Sequence, residues 1–188
     1  LYFSNDELDK LLAVVNPEIK DVVIFAVNTG MRLSEIINLK FSQIDFDNEL
    51  IILDNQQNIT KSKRVRSIPM NTTVKNIIAT KKINDLNDYV FTKNNKPFTN
   101  SIVSHTFKKA VRKAGINPLL HFHSLRHTFA SNLVKNKIPI FAISKLLGHS
   151  DIKTTLIYSH LEANDLKEVV ETLRVIPLKN IGVSYGVN

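Results

Sequence analysis

The sequence predicts an α+β domain that is mainly α-helical, with a small antiparallel three-stranded sheet in its first half. Three observations lead to that reading. Apolar residues recur at helical spacing before residue 30 and again from about Asn100. Between these stretches, residues 41–53 and 65–69 are rich in Ile, Leu, Val and Phe, with turn chemistry at Asp47-Asn48. A chain of 188 residues with 43% hydrophobic content can also bury a full core as one domain.

Each element has its own signal. Ser4 with Glu7 makes a capping box ahead of Leu8, Leu11 and Leu12, and a second apolar helix runs from about Glu18 to Asn28, closed by Gly30. The β-rich runs follow. From Asn100 onward, Ile102, Val103, Thr106, Phe107, Ala110 and Val111 share one helical face, with Lys108, Lys109, Arg112 and Lys113 displaced from it. Pro118 breaks that helix, another runs from about Ser124 to Asn136, and Pro139 opens a third that Gly148 ends. Ser150 caps a short helix that carries Tyr158. The amphipathic segment Leu161 to Leu173 precedes a tail, 175–188, without clear periodicity.

The composition narrows the function classes. There is no cysteine, so disulfides and thiolate metal sites are excluded, which fits a reducing cytoplasm. The longest pure apolar run, Val22 to Val27, is far short of the ~20 residues that span a bilayer, and no basic-then-apolar leader opens the chain. The net charge of +8 is unevenly spread: residues 51–160 hold eighteen Lys and Arg against four Asp and Glu. An excess of that size suggests an acidic polymer as partner, because each neutralised phosphate adds counterion-release affinity. A solvated lysine-rich surface would give the same count.

Four segments bear on chemistry, and each is ambiguous alone. In Thr29-Gly30-Met31-Arg32-Leu33-Ser34-Glu35, the carboxylate three residues after Arg32 can hold the guanidinium in one orientation, as in any ion pair at a helix start. Lys61-Ser62-Lys63-Arg64-Val65-Arg66-Ser67-Ile68-Pro69 is a basic turn feeding a strand, able to reach phosphate or simply to stay solvated. His121-Phe122-His123-Ser124-Leu125-Arg126-His127 places His123 and Arg126 where both can address one anion. Three close histidines also invite a metal, but Arg126 stands among them and no Asp or Glu completes a shell. In the fourth, His149 and Tyr158 would lie on opposite faces of one continuous helix and share a site only if Gly148 and Ser150 interrupt it. A lone tyrosine is more often a half-buried aromatic with a wet hydroxyl.

Taken together and in order, these segments resemble the catalytic domain of the tyrosine recombinases, the phage and conjugative-transposon integrases in particular. The matching parts are the TGMRLSE arginine box, the lysine in the hairpin before Ile68-Pro69, the HxLRHTFAS box, the LGHS box, and a tyrosine nine residues after its histidine. The resemblance covers nearly the whole chain, with residues 1–174 as the catalytic domain. It implies catalytic roles for Arg32, Lys61, His123, Arg126, His149 and Tyr158, with Glu35 and His127 in support. Lys63, Arg64, Arg66, Lys108, Lys109, Arg112 and Lys113 are the expected DNA contacts. Ser124 departs from the family's frequent Asp, and Asn136-Lys137 replace a frequent glycine. The amino-terminal DNA-clamping domain that usually precedes this point is expected to be missing from this chain.

The implied chemistry is metal-free strand cleavage and rejoining through a 3′-phosphotyrosine, with no cofactor. Arg32 and Arg126 grip the non-bridging oxygens, His149 adds a hydrogen bond, His123 accepts or relays the Tyr158 proton, and Lys61 protonates the departing 5′ oxygen. The implied partner is double-stranded DNA at attachment sites, bound by a homotetramer that exchanges carboxyl-terminal segments, with a monomer in isolation. A type IB topoisomerase resembles this site and shares its chemistry. A non-catalytic DNA-binding module and a metal-dependent hydrolase are the other readings.

Overall fold

The computed structural model describes residues 1–53, 65–81, 88–149 and 151–158. Lys61, Lys63, Arg64, the Ser150 cap, the segment Leu161 to Leu173 and the tail 175–188 lie outside the described residues.

Helix α1 (Asn5–Val14) begins at the expected capping box: Ser4 Oγ accepts from the Glu7 N–H at 3.2 Å, and the Glu7 carboxylate accepts from the Ser4 N–H at 3.0 Å. Helix α2 (Pro17–Thr29) starts on Asn16 and stops at Gly30, whose φ of 64° is left-handed. A Cβ at Gly30 would stand 2.4 Å from the Phe129 ring, so both conformation and space require glycine. Ile19, Val22, Val23, Phe25 and Ala26 are all buried, because α2 is enclosed by α3 (Leu33–Ile37), α4 (Thr72–Ala79), α5 (Asn100–Lys113) and α6 (Phe122–Lys135).

The sheet forms as expected, antiparallel in the order β1 (Ile44–Asp45), β2 (Leu50–Leu53), β3 (Arg66–Pro69). Ile44, Ile51 and Ile68 are in register and face the core. The turn between β1 and β2 is held by Asp45, whose carboxylate accepts from the Asn48 N–H at 2.9 Å and from its side-chain amide at 2.8 Å. A helix and a hairpin between these parts were not read from the sequence. Helix α4 is capped by Asn71 and buries Val74, Ile77 and Ile78, and a hairpin of β4 (Thr92–Lys93) and β5 (Lys96–Pro97) turns on Asn94 and Asn95, both at positive φ.

Helix α5 buries Val103, Phe107, Ala110 and Val111, but Ile102 is 50% exposed, one step off the face assigned to it. The helix ends at Ala114 and Gly115 rather than at Pro118. Helix α6 starts at Phe122, and Lys137 just beyond its end takes φ 60°. Helix α7 (Ile140–Leu147) is closed by left-handed Gly148, and α8 (Lys153–Leu156) packs against α7. Ala130, Val134, Ile143, Leu147 and Tyr158 form a second apolar cluster on this side.

Candidate active site

Two helix ends meet at Arg126. Its side chain leaves α6, is 3% exposed, and donates from Nη1 to the Gly30 carbonyl at 2.7 Å and from Nη2 to the Leu147 carbonyl at 2.6 Å. Gly30 closes α2 and Leu147 ends α7, so the guanidinium sits where both helices present free carbonyls and partial negative charge. That placement offsets the cost of burying a cation. Burial first, then the neighbouring Arg32 and Arg66, push its pKa down to about 9, and a delocalised guanidinium still keeps its charge at neutral pH.

A single carboxylate organises the cations around it. Glu35 accepts from the backbone N–H of Arg32 at 2.7 Å, from Arg32 Nη1 at 3.0 Å and from Arg66 Nη2 at 2.7 Å. The expectation that Glu35 orients Arg32 therefore holds in the geometry, and Arg32 remains 45% exposed along its side chain. Arg66 was expected among the DNA contacts, but it points inward with only 11% of its side chain exposed. Its second nitrogen donates to the Leu147 carbonyl, the same oxygen that Arg126 holds. Gly148, beside this contact, takes a left-handed φ of 66° that favours glycine, and a Cβ there would meet the Arg66 side chain.

The histidines form a row along α6. His121 stacks on His123 with centroids 6.3 Å apart, and His123 meets His127 edge-on at 4.9 Å. The row ends at Tyr158, whose hydroxyl contacts His127 Nδ1. Loss of water lowers the pKa of His123, with Arg126, His121 and Arg32 adding to the effect. His127 is pushed down to about 4 by burial and then by His123. His149, with Nδ1 2.7 Å from Thr155 Oγ1, is also pushed down to about 4, by burial and then by Arg126, Arg32 and Arg66. Tyr158 is 6% exposed, and burial raises its pKa against the opposing pull of Arg126.

Arg32, Glu35, His123, Arg126, His127, His149 and Tyr158 thus converge where α2, α6, α7 and α8 meet. Their cations perturb one another, an arrangement that an anion would relieve. Two further placements differ from the sequence-based assignment. The side chain on the Tyr158 hydroxyl is His127, not His123, because Tyr158 lies behind α6 in the second apolar cluster. Lys108 is turned to the carbonyls of Pro118 and Leu120 rather than left free on its helix face. Lys109, Arg112 and Lys113 are exposed along α5. Thr155 was missed: a fully buried threonine has no signal of its own in a single sequence. Among the described residues, no three His, Cys, Asp or Glu side chains are placed to share a metal ion, and no helix is long and apolar enough to cross a membrane.

Residues 2–165 match the phage integrase family. The chain belongs to that family. Among its relatives is the tyrosine recombinase XerA of Pyrococcus furiosus, 32% identical over 184 residues that cover 92% of this chain and 62% of that protein. The chain therefore spans less than two thirds of the length of this relative. The catalytic domain of bacteriophage HP1 integrase superposes with a TM-score of 0.70 at 28% identity, covering 95% of this chain and 96% of that one. The Tn1549 transposon integrase in complex with a circular intermediate DNA gives 0.74 over 90% of this chain and 66% of that one, at 23% identity, a likeness of fold. This fold is that of tyrosine recombinase catalytic domains.

Proposed function

We propose that this chain is the catalytic domain of a site-specific DNA recombinase that cuts and rejoins strands through a 3′-phosphotyrosine at Tyr158. One observation supports this above the others: three guanidiniums and three histidines with lowered pKa values converge on one place with a single carboxylate among them, and a tyrosine hydroxyl lies at its back. A phosphodiester resists attack because it is charged, and such a site supplies the cations that the transition state needs.

The steps follow from the side chains. Exposed Arg32, held by Glu35, takes one non-bridging oxygen, and Arg126 uses its remaining N–H groups on another. His149 donates from its ring to the same phosphate, and His123 lines the site from α6. The Tyr158 oxygen attacks phosphorus as its proton passes to His127 Nδ1, and the P–O bond to the 5′ oxygen breaks. Lys61 is the proposed acid that protonates the departing 5′ oxygen. Reversal by another strand's 5′ hydroxyl reseals DNA without ATP, since the phosphotyrosine conserves the bond.

The proposed partner is double-stranded DNA at attachment sites, in the cytoplasm, with four protomers assembled on DNA through the segment after Tyr158. Lys63, Arg64, Lys109, Arg112 and Lys113 are the proposed phosphate contacts. The test is relaxation of supercoiled plasmid in EDTA without ATP, with protein-linked DNA read on denaturing gels. Wild type is expected to relax plasmid and form the adduct, and Tyr158→Phe to do neither. Strand cleavage by Tyr158→Phe would overturn the assignment.

A further inference from the structure

We infer that Thr155 is the positioning residue that fixes the tautomer of His149, so that the phosphate-facing donor is fully populated only while the segment carrying Tyr158 is docked. The inference rests on the proposed role of His149 at the phosphate.

The argument starts from the ring. A neutral imidazole has one nitrogen that donates and one that accepts, and the partner of one nitrogen decides which is which. His149 Nδ1 lies 2.7 Å from Thr155 Oγ1. If the hydroxyl donates, the ring proton resides on Nε2 and can be given to a phosphate oxygen. If the hydroxyl accepts, Nε2 carries a lone pair and repels the anion. Only the first arrangement suits a site built around an anion.

Three other buried or part-buried threonine hydroxyls set the contrast. Thr29, Thr80 and Thr128 each donate to a carbonyl of their own helix, the common outcome for a helical threonine. Thr155 turns its hydroxyl across to His149 instead. It is 0% exposed, so water does not compete for that bond. Its position on α8 is fixed by the backbone, with its N–H on the Ile152 carbonyl at 2.7 Å and its own carbonyl accepting from the Tyr158 N–H at 3.1 Å.

Thr155 and Tyr158 therefore move as one piece. When α8 packs on α7, the hydroxyl of Thr155 reaches His149 and that of Tyr158 reaches His127. Withdrawal of α8 removes the nucleophile and also leaves Nδ1 without its donor, so both tautomers become populated. The site then holds phosphate fully only in the state that can attack it.

The experiment is nitrogen NMR of the imidazoles in the full 188-residue chain, with His149 assigned by the signals lost in His149→Gln. Wild type and Thr155→Ser should show His149 protonated at Nε2 near neutral pH, whereas Thr155→Val, close in shape, should show mixed tautomers. Covalent adduct formation on nicked DNA should fall about tenfold to a hundredfold in Thr155→Val and recover in Thr155→Ser, the range set by one lost hydrogen bond. An unchanged Nε2 tautomer in Thr155→Val would overturn the inference, as would an activity loss that Thr155→Ser does not restore. Should wild type form no adduct, the proposed function fails, yet the tautomer measurement still decides the role of Thr155.

Discussion

The hydroxyl of Tyr158 rests on Nδ1 of His127, one residue along α6 from the buried Arg126. His127 is uncharged at neutral pH, with its pKa pushed down to about 4 by burial and then by His123. It is thus a free base in contact with the proton that the proposed attack removes. His127→Gln is expected to slow adduct formation about 100-fold, within the usual range for a positioned base, and to leave DNA affinity within about threefold. Single-turnover cleavage measured beside His123→Gln checks this, and a much larger loss in His123→Gln would return the proton to His123.

How far this was legible in the sequence depends on whether a signal is local. The capping box at Ser4, the stops at Gly30 and Gly148 and the pairing of β1 with β2 follow from nearby residues, and the structure has them. The convergence of Arg32, Arg126, His149 and Tyr158 came from the order of four motifs matched to a family, since no spacing rule joins residues this far apart. What stayed hidden was direction. Nothing near Arg66 says that it turns inward, because its partners, Glu35 and Leu147, lie in other elements. Helix α4 was different: Asn71 followed by Val74, Ile77 and Ile78 is a usable pattern that the strong signals on either side obscured.

Acid should weaken the fold in a defined window. His123, His127 and His149 all have folded pKa values below the ordinary 6.5, the last two about 4, so the native state binds fewer protons than the unfolded chain between these values. Stability rises with pH wherever the unfolded state binds more protons, so it is lost as pH falls from about 6.5 to about 4 and the loss levels off below. Urea titrations at pH 7.5, 6 and 5 should show a falling midpoint. A midpoint that holds steady across that range would mean that the three rings titrate in the native state as they do in the unfolded chain.

Lys137 occupies a position that suits glycine. Its φ of 60° is left-handed, which costs a residue with a Cβ about 1 kcal/mol relative to glycine. The sequence has Asn136-Lys137 where the family often has glycine, and the backbone identifies Lys137 as the strained one of the pair. Lys137→Gly is expected to raise unfolding stability by up to about 1 kcal/mol in urea, with cleavage unchanged. A destabilised variant would show that the Lys137 side chain contributes more than its backbone strain costs.

The two arginines proposed to grip phosphate should separate when each is changed to lysine. Arg126 joins the ends of α2 and α7 by donating to the Gly30 and Leu147 carbonyls from different nitrogens, a geometry one ammonium cannot reproduce. Arg126→Lys therefore gives up at least one of two buried, charge-assisted hydrogen bonds and should lose about 1–3 kcal/mol of stability, in addition to most of its activity. Arg32 is 45% exposed along its side chain and pairs with Glu35 at the surface, so Arg32→Lys should stay within about 1 kcal/mol of wild type. Its activity should still fall steeply, because a point charge cannot make a two-pronged contact with phosphate. Equal stability losses in the two variants, measured by urea unfolding, would contradict a division in which Arg126 braces the site and Arg32 is left free to meet the substrate.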